Sequence, residues 1–258
     1  MADAWQRLQT EPVGEPRKEE DGSHIEEKAE TEKTEELARN CLPLGKDTNT
    51  FEPVRIELDQ EHNALLISSG DNTQSEAALD YLEKELEAHA DNQIYRLSPE
   101  TSKEETDRLN RELVQILDER KKIYDGHKKE EDFDQGKWIS GYSQLCLVIS
   151  QLPEFSAGLE PAVRKSFGRI FSKGKVFGVI IIASAAPEKL ALPEADQDLL
   201  THTALLSGTG LGGGERPSDH AAFADLKKSS PAETAYLDED EAALFRNGEL
   251  CIIRKNWG

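Results

Sequence analysis

The sequence predicts an α/β domain in three layers, a mostly parallel central sheet flanked by helices. Three observations predict it. Two strand-length runs, QLCLVIS at 144–150 and VFGVIIIAS at 176–184, are apolar throughout, as strands covered on both faces must be. Such runs alternate along the chain with segments whose apolar residues recur every three or four positions, the period of a helix with one buried face. Finally, the buried run HNALLISS (62–69) passes through a short polar turn directly into a helical pattern.

The elements follow in order. Residues 1–41 are a leader or linker rich in Glu, Lys, Thr and Pro, too poor in aliphatic residues for a core and at most transiently helical. Residues 42–258 form the folded domain, announced by Pro43 and Gly45. VRIEL (54–58) alternates as a strand does, and HNALLISS is the first buried strand. SEAALDYLEKELEAH is a helix that turns Ala78, Leu79, Leu82 and Leu86 inward. QIYRL (93–97) is a strand, and Ser98-Pro99 opens a long helix to about Tyr124 with Leu109, Leu113, Ile116, Leu117 and Ile123 facing inward. Residues 125–137 are charged and read as a loop. After the strand at 144–150 come a helix at 159–171 and the strand at 176–184. A helix near PEADQDLL, a strand at 203–207, a glycine-rich loop, a helix near 218–227 and the strand GELCIIRK complete the pattern.

Composition narrows the function. The formal net charge is −20, and basic runs are short and flanked by acids. That argues against direct nucleic-acid binding or docking on an anionic membrane, both of which need clustered Lys and Arg. Cys41, Cys146 and Cys251 are far apart and keep no metal spacing, which fits a reducing, intracellular setting. The N-terminal residues lack a secretory signal, and no apolar stretch approaches a membrane span of ~20 residues.

The candidate site is Ser68-Ser69-Gly70-Asp71-Asn72-Thr73-Gln74-Ser75, between a buried strand and an amphipathic helix. A phosphate-binding loop, G-x-x-x-x-G-K-[ST], belongs there: its glycines let N–H groups curl round phosphates, its lysine neutralises them, and its hydroxyl ligates Mg²⁺. Ser68 and Thr73 replace the glycines and Gln74 the lysine; only Ser75 keeps its motif identity. In phosphoryl-transfer sites a second buried strand ends in acids that hold Mg²⁺. The strand LCLVI ends instead in the neutral Ser150-Gln151. An ordinary strand–turn–helix is the plain alternative for this loop.

The segments LPLGKDTNTFEPVRIEL, NALLISSGDNTQS, LCLVISQLPEF, FGRIFSKGKVFGVIIIAS, LLSGTGLGGG and NGELCIIRK, in that order over 42–258, resemble an FtsK/SpoIIIE-type motor domain. More narrowly, they resemble the last, degenerate ATPase domain of EssC/EccC-type type VII secretion motors. The resemblance implies a RecA-like P-loop fold. It implies a part in recognising secreted effectors or in regulating the neighbouring motor domains, with weak or neighbour-assisted ATP hydrolysis as the alternative. No catalytic or metal residue is expected, and ATP with Mg²⁺ would bind weakly if at all. The implied partners are small secreted helical proteins or their signal helices, and the preceding ATPase domains of the same motor. The implied location is the cytoplasmic end of a bacterial membrane protein.

Other candidates are weaker. Gly208-x-Gly210-x-x-Gly213 matches a dinucleotide fingerprint but lies near the C-terminus, whereas a true one follows the first strand. The six histidines include no i, i+4 pair, and there is no G-x-S-x-G elbow. Arg169 reads as a helix-surface salt bridge before a residue reaching a neighbour's nucleotide. Trp138 and Trp257 read as core or hinge contacts before partner anchors.

Overall fold

The computed structural model describes residues 41–58, 63–69, 71–186, 203–208, 237–246 and 249–257. Their strands are β1 (Cys41–Asp47), β2 (Pro53–Glu57), β3 (Ala64–Ser68), β4 (Asn92–Leu97), β5 (Gln144–Ile149), β6 (Val179–Ala185), β7 (Thr203–Gly208), β8 (Glu241–Arg246) and β9 (Glu249–Lys255). The helices are α1 (Asn72–Glu87), α2 (Lys103–His127), α3 (Gln135–Ser140), α4 (Leu152–Gly158) and α5 (Pro161–Gly174), followed by a 3₁₀ turn at Lys175–Phe177.

All the described strands join one sheet in the order β2-β1-β9-β8-β7-β3-β6-β5-β4. From β7 to β4 the pairing is parallel. From β7 back to β2 it is antiparallel. β3 therefore lies inside the parallel part, with β6 on one side and β7 on the other. The chain leaves β3 through α1, reaches the far edge at β4, returns through β5 and β6, and crosses to β7.

Alternate residues of each buried strand feed opposite faces, as the pleat requires. Leu66, Leu145, Leu147, Ile149 and Ile181 pack with Leu109 and Leu113 of α2, Phe155 of α4 and Phe167 and Ile170 of α5. Leu65, Ile67, Cys146, Val148, Ile180 and Ile182 pack with Ala78, Leu79, Leu82 and Leu86 of α1. Three layers result. The doubly apolar reading of 144–150 and 176–184 is what this sandwich consists of.

Several element bounds differ from the sequence reading, each for a local reason. The long helix starts at Lys103, because Ser102 is its cap and accepts from Glu105 N at 3.3 Å. Ser98-Pro99 instead makes a turn, in which Thr101 N donates to Ser98 O at 3.1 Å. Within the expected loop at 125–137, α2 runs on to His127, and α3 opens at Gln135 with Asp134 as its cap. Ile123, read as inward, is 41% exposed, because the buried side of α2 is carried by Leu109, Leu113 and Arg120. The LPEFSAG segment forms α4, and β1 and β8 are strands that the hydrophobic pattern did not mark. The leader to residue 40, the helices near PEADQDLL and 218–227, and the glycine-rich loop beyond Gly208 lie outside the described residues.

β1 and β9 approach closely at Gly45, which pairs with Lys255. A Cβ there would lie 2.0 Å from the Arg254 carbonyl oxygen, so glycine is required by contact with backbone that cannot yield.

Candidate functional site

In open α/β sheets ligands gather outside the carboxyl ends of the parallel strands, where the connections diverge. Here that end is a row of hydroxyls. β3 finishes in Ser68 and Ser69, both buried. β5 runs into Ser150, and β6 carries Ser184; both are buried too. By register, Ser68 pairs with Ala185 on one side and Ser207 on the other.

The connection from β3 to α1 is three residues long, namely Ser69, Gly70 and Asp71; Gly70 lies outside the described residues. A G-x-x-x-x-G cradle needs about twice that length between strand and helix. Asn72, Thr73, Gln74 and Ser75 consequently form the first turn of α1. Asp71 caps the helix: its Oδ1 accepts from Thr73 N at 2.8 Å, while its own N–H donates to Ser69 Oγ at 3.1 Å. The carboxylate thus takes one of the free N–H groups to which a helix N-terminus otherwise draws an anion. Ser75 is buried, and its N–H donates to Asp71 O at 3.1 Å. Gln74 Oε1 accepts from Lys255 Nζ of β9 at 3.2 Å. Burial holds that lysine below the usual ammonium range, against the opposing pull of Asp240 and Glu239.

A second cluster stands at the end of β5. Arg96 of β4 donates to Glu76 Oε2 at 2.6 Å and Glu83 Oε2 at 2.7 Å, and lies 3.3 Å from Asp80 Oδ1. Its guanidinium also donates to Ser150 Oγ at 3.2 Å, and Ser150 donates to Glu76 Oε2 at 3.0 Å. Gln151 does not join this network through its backbone: it adopts the left-handed region at φ 47° and donates its N–H to Ser184 Oγ at 2.9 Å. Its carbonyl accepts from Phe155 N at 2.9 Å, starting α4.

The structure therefore groups Ser69, Asp71, Thr73 and Ser75 round the start of α1, and ties Ser150 to the same helix through Glu76. Sequence reasoning missed Arg96, Glu76 and Lys255. An arginine inside the apolar strand QIYRL, opposite acids at 76, 80 and 83 on one helix face, was the available signal for the first two. Nothing local marked Lys255, which reaches Gln74 only through the sheet order.

Trp257 is buried against Tyr81, with ring centroids 5.7 Å apart. Trp138 packs against Tyr142 at 5.0 Å and Tyr124 at 5.5 Å. Both are intramolecular contacts. Arg169 is exposed and has no ion pair among the described residues, unlike the salt bridge read for it. Of the fingerprint glycines, Gly210 and Gly213 lie outside the described residues, as do His24, His62, His202 and His220. Among the described residues no three His, Cys, Asp or Glu side chains are grouped to hold a metal ion. No described helix is long and apolar enough to cross a membrane.

No protein-family model and no curated protein matches the chain. Solved structures do. The cytoplasmic domain of EssC superposes with a TM-score of 0.62 at 13% identity, over 84% of this chain and 43% of that one. EccC (ATPases 2 and 3) of Thermomonospora curvata, in complex with a signal sequence peptide, gives 0.58 at 12% identity, over 86% of this chain and 41% of that one. The pCW3 conjugation coupling protein TcpA, in its monomer form with ATPγS, gives 0.63 at 11%, over 84% and 66%. The fold is that of the P-loop ATPases. At such identities the likeness carries architecture and not side chains. This chain spans less than half the length of the EssC and EccC structures it matches.

Proposed function

We propose that this P-loop ATPase fold serves as a non-hydrolysing binding and regulatory domain of a type VII secretion motor. In this reading it recognises secreted helical proteins or their signal helices and sits beside active motor domains at the cytoplasmic side of a bacterial membrane. Residues 42–258 are the ATPase-like unit, and 1–41 are an acidic linker. The likeness to EssC and EccC supports the setting, and the signal sequence peptide held by the Thermomonospora protein supports the class of partner.

One observation carries the loss of hydrolysis: the chain's own charges satisfy the carboxyl end of the sheet. Asp71 supplies an anion at the α1 N-terminus, where phosphate would dock. Arg96 supplies a cation between Glu76 and Ser150, where an active site would keep Mg²⁺ and its acids. A phosphate entering here meets a carboxylate without a lysine from the loop, and its charge-assisted contacts are lost. Asp71, Asn72, Thr73, Gln74 and Ser75 then act as a helix start, Ser68 and Ser69 as a buried strand end, Gly70 as their link, and Ser150 and Gln151 as structural polar groups.

A second reading, weak or neighbour-assisted nucleotide hydrolysis, draws on Lys255, whose ammonium lies 3.2 Å from the amide that replaces the loop lysine. Calorimetric titration of the full chain with Mg-ATP, beside Gln74→Lys and Ser75→Ala variants, separates the two. The proposal expects no heat from the wild type. Micromolar binding that disappears in Ser75→Ala, with turnover, establishes the second reading instead.

A further inference from the structure

We propose that the open edge of β4 is a docking site for an extended, basic segment of a partner protein, which adds to the sheet as a further strand. This goes beyond the reading of helical partners, and it holds whether or not the chain hydrolyses nucleotide.

Among the described residues β4 ends the sheet. Its ladder to β5 runs without a break from Asn92 opposite Gln144 to Leu97 opposite Ile149. At the two ends of that ladder Gln144 N donates to Asp91 O at 3.2 Å, and Ser150 N donates to Leu97 O at 2.9 Å. Successive residues of a strand turn their N–H and C=O to opposite sides. Asp91, Gln93, Tyr95 and Leu97 therefore face β5, while Ile94 and Arg96 present both backbone groups to the open side, with no backbone partner there among the described residues. The other edge of the sheet is blunted. β2 begins at Pro53, its pairing with β1 is interrupted by a bulge between Pro43 and Gly45, and Arg55 and Glu57 are exposed on it. Proline, bulges and outward charges are what keep an edge from taking another strand. β4 has no proline and no bulge, and the charge of Arg96 is turned onto α1.

Backbone and charge together select the occupant. Unpaired N–H and C=O groups at alternate residues are met in one ladder by an extended peptide, whereas a helix spends its own on itself. Ile94 and Arg96 stand on the α1 face of the sheet, where Ile94 packs with the apolar residues of α1. There Glu76, Asp80 and Glu83 set three carboxylates against the one guanidinium of Arg96. Asp80, with its side chain 61% exposed, lies 3.3 Å from that guanidinium. On the opposite face Tyr95 Oη donates to Glu112 Oε1 at 3.0 Å. A strand arriving at this edge thus meets carboxylates on both faces, on a chain whose net charge is −20. In antiparallel pairing, the more stable per residue, the residues opposite Ile94 and Arg96 send their side chains to the same α1 face. Lys or Arg at alternate positions of the partner would reach the acids of α1, and an acidic strand would be repelled.

The test uses the full chain and a labelled synthetic peptide of about eight residues, alternating Lys with Val, which spans β4 at about 3.3 Å per residue. Fluorescence anisotropy should show binding that salt weakens, and none of a counterpart carrying Glu for Lys. N-methylation of the Lys residues removes the donors that face β4 and should weaken binding at least tenfold. N-methylation of the Val residues, whose N–H groups point away, should leave it unchanged. In the protein, Ile94→Pro removes one outward N–H and spares the ladder to β5, a change that an edge strand tolerates, and it should weaken binding to a similar degree. Asp80→Lys should weaken it as well, and Lys137→Glu, on α3, should not. Far-ultraviolet circular dichroism confirms that each variant is folded, and the N-methylated peptides decide the matter on the wild-type chain should Ile94→Pro unfold. Failure of the basic peptide to bind, equal binding of the acidic one, or indifference to N-methylation of the Lys residues each overturns the proposal. Mg-ATP titration is a separate readout: turnover refutes the non-hydrolysing domain and leaves the edge standing.

Discussion

Arg96 holds oxygens from four residues on two different elements, Glu76, Asp80 and Glu83 on α1 and Ser150 at the end of β5. Its side chain is 29% exposed and that of Glu83 is 22% exposed, so solvent screens the pairs only in part. Removing the guanidinium leaves three carboxylates facing one another. An Arg96→Met variant should lose about 2 kcal/mol of stability, below the cost for a fully buried pair, measured by urea unfolding. A change within a few tenths would show that the cluster is surface decoration. Of this cluster only Ser150 was singled out from the sequence, as a missing acid; the residue that fills its surroundings comes from a strand chosen by topology.

At the scale of elements, the last strand fastens α1. Lys255 donates to Gln74, Asn256 Nδ2 donates to Tyr81 Oη at 3.2 Å, and Tyr81 Oη donates to the Pro43 carbonyl at 3.0 Å. Trp257 closes the same side of the core. Trp257→Ala should cost about 3 kcal/mol. Amide exchange should accelerate first in α1 and β1, which share this contact; uniform acceleration across all helices would deny a local clamp. Helix faces were legible, because the period of α1 marks Ala78, Leu79, Leu82 and Leu86 whatever lies opposite. Helix ends were less so: Ser98-Pro99 reads as the start of the long helix, whereas a turn bond between Ser98 and Thr101 holds that segment and Ser102 caps the helix instead.

For the whole molecule, burial sets a pH limit. Cys146 is pushed up to about 12 by burial, and Cys251 to about 12 by burial and by donating to Asp47 Oδ2 at 3.0 Å. Both thiols titrate near 9.0 when exposed, so between about 9 and 12 the folded state keeps protons that the unfolded state releases. Stability from these groups is fully present below 9 and falls as pH rises through that window. Thermal melts at pH 8 and about 10.5 should show a smaller alkaline loss in Cys146→Ala than in the wild type; equal losses would remove Cys146 as a contributor. The sequence by itself determined the layers, because burial on both faces leaves a continuous apolar run and burial on one leaves a period, and each is written locally. It also determined that Gln74, not a lysine, follows the turn after HNALLISS, and that neutral Ser150-Gln151 follow LCLVI. Only the tertiary structure decided which charged groups meet at those positions. Arg96 lies 20 residues from Glu76 and 54 from Ser150, and Lys255 lies 181 from Gln74. Contacts at such separations depend on which strands become neighbours, and strand order leaves no periodic mark on the chain.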